Sequence, residues 1–194
     1  MSKYHRISVA LLSCAVASSF LGAAAQRDEV YGENVYVNCQ YRFAALFPSQ
    51  PMTRDITHMN GTRSVPARQF YTQQGNDTFS IIVADFSNGP AVDAQAVENA
   101  AVPIRRRGEV RFQFAENYDP GIPGRQLNIY ESNGRQHRAS VYMWDHRLYI
   151  TEANATPGDF SALQFEQSIS IIDGSGTDLD KNGNQPSRQY NCPR

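Results

Sequence analysis

From Tyr41 to Ile172 most of the chain alternates apolar and polar residues with a period of two. Phe43, Ala45 and Phe47 share one side of such a run, as do Phe79, Ile81 and Val83, and then Val110, Phe112 and Phe114. Leu127 and Ile129 alternate with Gln126 and Asn128, and Leu148 and Ile150 with Tyr149 and Thr151. Between them, Ala139, Val141 and Met143 fall on one face while Ser140, Tyr142 and Trp144 fall on the other. Successive side chains of a strand point to opposite faces, so each run predicts a half-buried strand. Asn133-Gly134 predicts a type I′ hairpin turn, whose two central residues both need positive φ. Asp145-His146 separates the next two runs, which predicts a meander of three antiparallel strands.

Two stretches change period. Ala91 to Val102 places Val92, Ala96, Val97, Ala100 and Ala101 near helical spacing, with Pro90 suited to the first turn and Pro103 ending the pattern. At Thr156-Pro157-Gly158-Asp159, Thr156 is the expected cap and Pro157 the first helical residue; Phe160 and Leu163 form the expected buried stripe, and the helix stops near Glu166. Ile169 to Ile172 reads as a last strand. Strands with two separated helices predict an α+β domain, its largely antiparallel sheet covered by helices. After Asp173 the chain turns to Gly, Asp, Asn, Ser and Gln, a composition that does not bury enough surface to fold by itself.

The first residues carry an address. Lys3 and Arg6 precede an apolar run from Ile7 to Leu21, and Ala23-Ala24-Ala25 supplies an A-x-A site before Gln26. That order is a secretory leader, too short and too rich in Ser and Ala to span a bilayer, with cleavage expected between Ala25 and Gln26. The organisation expected is therefore a leader over 1–25, an N-terminal segment over 26–40, one domain over 41–173 and a polar tail over 174–194. Leu11-Leu12-Ser13-Cys14 loosely resembles a lipobox, which would anchor the chain through a lipidated Cys14. The apolar run continues well past Cys14, however, so ordinary cleavage into the periplasm or medium is the favoured reading. N-terminal sequencing of the exported protein distinguishes the two.

Without the leader 169 residues remain, enough for one domain with a real core. Sixteen basic and nineteen acidic side chains give a formal charge of −3, which makes no case for a nucleic-acid partner. No second run is apolar enough for a transmembrane helix. Cys39 and Cys192 are then the only cysteines, and two cysteines in an exported chain predict a disulfide that pins the tail to the first strand.

Tyr41-Arg42-Phe43-Ala44-Ala45-Leu46-Phe47-Pro48 followed by Pro51 resembles the opening strand of the PsbP-like superfamily. Arg147-Leu148-Tyr149-Ile150, a helix, and Phe165-Glu166-Gln167-Ser168 before the last strand are similar to the end of that domain. The resemblance covers about Tyr41 to Ile172. It implies an α/β/α sandwich and a non-enzymatic accessory or binding module, and it offers no catalytic residues to carry over.

Candidate chemistry is sparse. Asp178, Asp180, Asn182 and Asn184 space oxygen ligands like the first half of a calcium loop, with Gly183 at the turn; Gln189 stands where the closing glutamate belongs. Calcium is thus the one cofactor with any motif. Arg105-Arg106-Arg107 follows a helix, where it can satisfy terminal carbonyls and the negative end of the dipole. His58, His137 and His146 lack metal-motif spacing, with His137 expected at a strand edge and His146 in a turn. Tyr142 and Trp144 share a face that is core if covered and a recognition surface if not. No nucleophile and base are visibly paired, so the chain reads as an exported, non-catalytic binding or accessory protein whose partner is an unidentified envelope protein or ligand. The alternatives are an envelope hydrolase with a dispersed site and a calcium-dependent binding module. A pocket holding one of the histidines beside a carboxylate or serine would favour the hydrolase.

Overall fold

The computed structural model describes residues 30–31, 35–89, 93–181 and 187–193; the leader, the start of the first helix and both asparagines of the calcium motif lie outside them. Two antiparallel sheets form the body. The smaller has the order β1 (Val30–Tyr31), β2 (Val35–Asn38), β3 (Phe43–Leu46) and β11 (Ser170–Ile171). The larger has seven strands: β4 (Met52–Asn60), β5 (Arg63–Gln74), β6 (Asp77–Asp85), β10 (Arg147–Ala155), β9 (Gln136–Trp144), β8 (Gly124–Glu131) and β7 (Gly108–Ala115). Two hairpin arrays, β4-β5-β6 and β7-β8-β9-β10, meet where β10 pairs with β6, so the helix α1 (Asp93–Arg105) crosses the sheet between them.

Burial follows the alternation. On one face, Leu127, Ile129, Ala139, Val141, Met143, Leu148 and Ile150 pack beneath Ala96, Val97, Ala100 and Ala101 of α1. The opposite face carries Phe70, Phe79, Ile81, Val83, Tyr142 and Tyr149, and these pack against Tyr36, Phe43, Phe47 and Phe165. The sheet is therefore covered by one helix on one side, and on the other by the second sheet together with α2 (Phe160–Glu166). The largely antiparallel sheet is as expected and each helix packs on one of its faces, but on the α2 side most of the cover comes from short, nearly all-apolar strands such as Phe43–Leu46.

Several local expectations are also revised. The helix runs through Pro103 to Arg105, because a proline near the last turn forfeits only one of the bonds that hold the helix. In α2 the cap is Asp159, whose carboxylate accepts from the Ser161 N–H at 2.8 Å. That later start rotates the stripe, so Ala162, Phe165 and Glu166 are buried and Phe160 is 70% exposed. Among the residues around Asn133-Gly134 only Gly134 has positive φ, 82°, and its N–H closes a turn on the Glu131 carbonyl at 2.9 Å. The two-residue positive-φ turn is instead Asp145-His146, at 46° and 59°. A bulge between Val110 and Phe112 puts these two residues on opposite faces. Strand β2 pairs with β3, so the sheet begins before Tyr41. The tail packs as well: Tyr190 joins Val37, Ala44 and Ile172 in a third cluster.

Candidate functional site

A polar cleft of about 290 Å³ opens where the end of β7, the strands β8 and β9, the end of α2 and the tail converge. Glu116 follows β7 directly, Gln126 and Tyr142 project from neighbouring strands, Glu166 closes α2, and Asp178, Asp180 and Arg188 come from the tail. Gly124 allows this convergence. A Cβ there would lie 2.3 Å from the Glu116 carbonyl oxygen and 2.3 Å from the Tyr142 ring.

The four carboxylates are not equivalent. Asp178 is 2% exposed and accepts from the Tyr118 hydroxyl, which in turn accepts from the Ile171 N–H at 3.1 Å; the Asp180 N–H donates to the same Asp178 oxygen at 3.0 Å. Burial, and then the Asp178 charge, push the Tyr118 phenol well above its usual range, so it stays a donor. Glu166 is 1% exposed, accepting from the Ser140 hydroxyl and from Arg138 Nη2 at 3.2 Å. Burial still raises its pKa above the carboxylate norm, despite those partners. Glu116 is raised too, first by burial and then by the Glu166 charge, and its Oε2 is buried with no hydrogen-bond partner. Burial drives the Tyr142 phenol up to about 12. The cleft thus holds two carboxyl groups whose neutral forms burial favours, with the Glu166 charge adding to the rise at Glu116, beside the Tyr118 phenol fixed as a neutral donor.

The sequence-level candidates distribute unevenly around this cleft. Cys39 and Cys192 are bonded, with Cα atoms 5.6 Å apart. Asp178, Asp180 and Tyr142 line the cleft, but Trp144 stands apart from it, packed at the edge of the inner core with the Arg42 guanidinium 5.6 Å from its ring centre. Tyr142 is 5% exposed and stacks edge-on with Tyr118 at 5.4 Å, so this aromatic pair is largely core, covered by strands and loop. Asp178 spends one oxygen on Tyr118, and among the described residues no three acidic, His or Cys side chains are arranged to hold a metal ion. Arg105, Arg107, Arg125, Arg135 and Arg138 each pair with a carboxylate, so the arginines form no continuous basic patch. Neither Glu116 nor Glu166 carries a sequence signal. They come from separate elements, and only the sheet topology joins them.

His137 is the second residue of β9, near the end of the strand, but it is buried, 2% exposed, because β9 runs between β8 and β10. Its Nε2 lies 3.2 Å from Glu152 Oε1, and Arg107 lies 2.9 Å from the same oxygen and 3.3 Å from Nε2. Burial alone would raise Glu152, but the His137 hydrogen bond and Arg107 overcome it and hold the carboxyl below its usual range. This network floors a second cleft of about 360 Å³, on the part of the α1 face that the helix leaves open, with Arg54, Tyr71 and Ser80 in its walls. Among the described residues no hydrogen bond joins Ser80 to His137. Ser80 pairs with Glu152 across the ladder, one strand away.

No family model and no curated protein matches the chain. Among solved structures, cyanobacterial PsbP (CyanoP) from Synechocystis sp. PCC 6803 is 14% identical, with a TM-score of 0.48 over 78% of this chain and 99% of that one. A Pseudomonas aeruginosa protein of unknown function is 16% identical, with a TM-score of 0.32 over 56% of this chain and 87% of the other. Neither TM-score reaches one half, so the PsbP-like resemblance rests on its own residues.

Proposed function

We propose that this chain is an exported, non-catalytic binding or accessory protein of the PsbP-like kind, and that it takes a cationic group of its partner in the cleft beside Glu116. The observation that carries this reading is the unpartnered, buried Glu116 Oε2 next to Glu166. A cation seated between two carboxyl groups that repel each other's ionisation is held by both, and it restores the charge that burial suppresses. The disulfide supports an extracytoplasmic site of action, as does the leader. No described helix is long and apolar enough to cross a membrane.

Thermal-shift and calorimetric titration with agmatine, against the uncharged analogue 1,5-pentanediol, test the proposal. Agmatine raises the Tm at neutral pH, and less so as the pH falls and both carboxyls protonate. The Glu116→Gln/Glu166→Gln double variant loses the response. An equal response to the neutral analogue, or one that persists in the double variant, overturns it. Pull-down from envelope extract with the wild-type and double-variant proteins then identifies the partner by its dependence on the cleft.

The His137–Glu152 pair beside Ser80 favours a second reading, a hydrolase. Arg107 bonds both members of the pair, which makes them an ion network rather than a base aimed at a nucleophile. Hydrolysis of p-nitrophenyl esters that disappears in His137→Ala, with the fold retained, would replace the binding reading.

A further inference from the structure

Strand β7 ends the seven-stranded sheet, and among the described residues it has a neighbour on one side only. All eight of its residues are exposed, including Phe112 at 40% and Phe114 at 43%. The two rings stack with centres 5.8 Å apart. Sheet edges are ordinarily blunted by lysine, proline or inward-pointing charge. Here there is no lysine and no proline, and the charges Glu109 and Arg111, the latter the bulge residue itself, pair with each other at 3.2 Å. Past that bulge the edge runs Phe112-Gln113-Phe114-Ala115, with both rings exposed. The opposite edge, β4, exposes Met52 and Met59, each at 55%, but they stand at its two ends with Thr53, Arg54, Asp55 and Thr57 between them, so they form no adjoining pair like Phe112 and Phe114.

We propose that β7 pairs with β7 of a second copy of this chain, antiparallel, about a two-fold axis at Gln113. The sequence Arg111-Phe112-Gln113-Phe114-Ala115 is close to symmetric about its centre. In an antiparallel ladder that register sets Phe112 opposite Phe114 of the second copy, and Phe114 opposite its Phe112. Four rings then cluster on the face that holds Asn128 and Gln126, the cross-strand neighbours of Phe112 and Phe114. Gln113 lies opposite itself on the other face, near Arg105, which shares the Glu98 carboxylate with Arg125. The contact is isologous: the same patch serves both copies, and it uses up the β7 edge of each. The bulge leaves Arg111 without a Cα partner on β8, the register sets it opposite Ala115 of the second copy, and a net charge of −3 per mature chain offers little repulsion.

Sedimentation velocity on the full exported chain, over a wide concentration range, reads the association directly. The weight-average mass is expected to climb towards twice the monomer with concentration, and to remain at the monomer in Phe112→Lys/Phe114→Lys. Both positions are exposed, so circular dichroism should be unchanged. The register has its own readout: Gln113→Cys should cross-link to a covalent dimer under mild oxidant, while Glu109→Cys, which does not face itself about this axis, should not. A monomer at all concentrations, a dimer that survives the double lysine variant, or equal cross-linking at both cysteines each overturns the proposal.

Discussion

Glu116 and Glu166 show how a carboxyl group's charge is set by what surrounds it. Glu166 has Ser140 and Arg138 as partners, yet burial outweighs them and favours its neutral form. Glu116 has no partner on Oε2 and feels Glu166 besides its own burial. A carboxyl whose folded-state pKa is raised stabilises the fold most at low pH, and that contribution is lost as the pH rises through the raised value. Glu116→Gln should therefore raise the Tm at neutral pH, by a small amount because Glu116 is only partly buried, and should leave it unchanged near pH 4. Melting curves of the two proteins at both pH values check this; a loss of stability at neutral pH would mean that Glu116 has a partner. Neither glutamate was legible in the sequence, since each is an isolated acid on its own element. Legible residues were those whose chemistry is self-declaring, such as Cys39 and Cys192.

At the scale of elements, legibility followed one-sided burial. Strands β6, β8, β9 and β10 each hold a dry core on at least one face, so their alternation shows in the sequence. Strand β4 is mostly exposed and its sequence, Met-Thr-Arg-Asp-Ile-Thr-His-Met-Asn, has no apolar rhythm. Strand β5 hides behind Pro66, which precedes Ala67, the first residue paired with β6, and so sits where β5 has only β4 beside it. Turns misled for a related reason. Asn133-Gly134 has the composition of a type I′ turn but sits in a longer loop, while Asp145-His146 takes that conformation with no glycine. Asp145 gains from its ion pair with Arg42, but His146 bears a left-handed backbone at φ 59°. His146→Gly should relieve that strain and stabilise the protein by up to about 1 kcal/mol. Urea unfolding measures it, and a destabilised variant would show that the His146 side chain contributes more than its backbone costs.

For the whole molecule, the polar tail is the part whose role composition conceals. Its sparse apolar residues are nonetheless well placed: Tyr190 is 8% exposed against Val37, Ala44 and Ile172, and Leu179 packs at the margin of the inner core. Asp178 receives the Tyr118 hydroxyl, and Gly176, at φ 87°, lets the tail pass within 2.2 Å, measured from a would-be Cβ, of the Tyr190 carbonyl oxygen. The disulfide then locks the end of this segment beside β2. Two contributions can thus be separated. Cys39→Ser/Cys192→Ser removes only the cross-link and should cost about 2–5 kcal/mol. Deleting residues 174–194 also removes Tyr190 and the acceptor of Tyr118, leaving a buried phenol without its partner, so it should cost more than the double serine variant. Each of the two sheets keeps its own ladder without the tail, so the truncated chain should retain a β-type circular dichroism spectrum while melting below the double serine variant. Equal melting temperatures for the two variants would show that the tail acts through the disulfide alone, and that Tyr190 and Asp178 fill space without holding the sheets together.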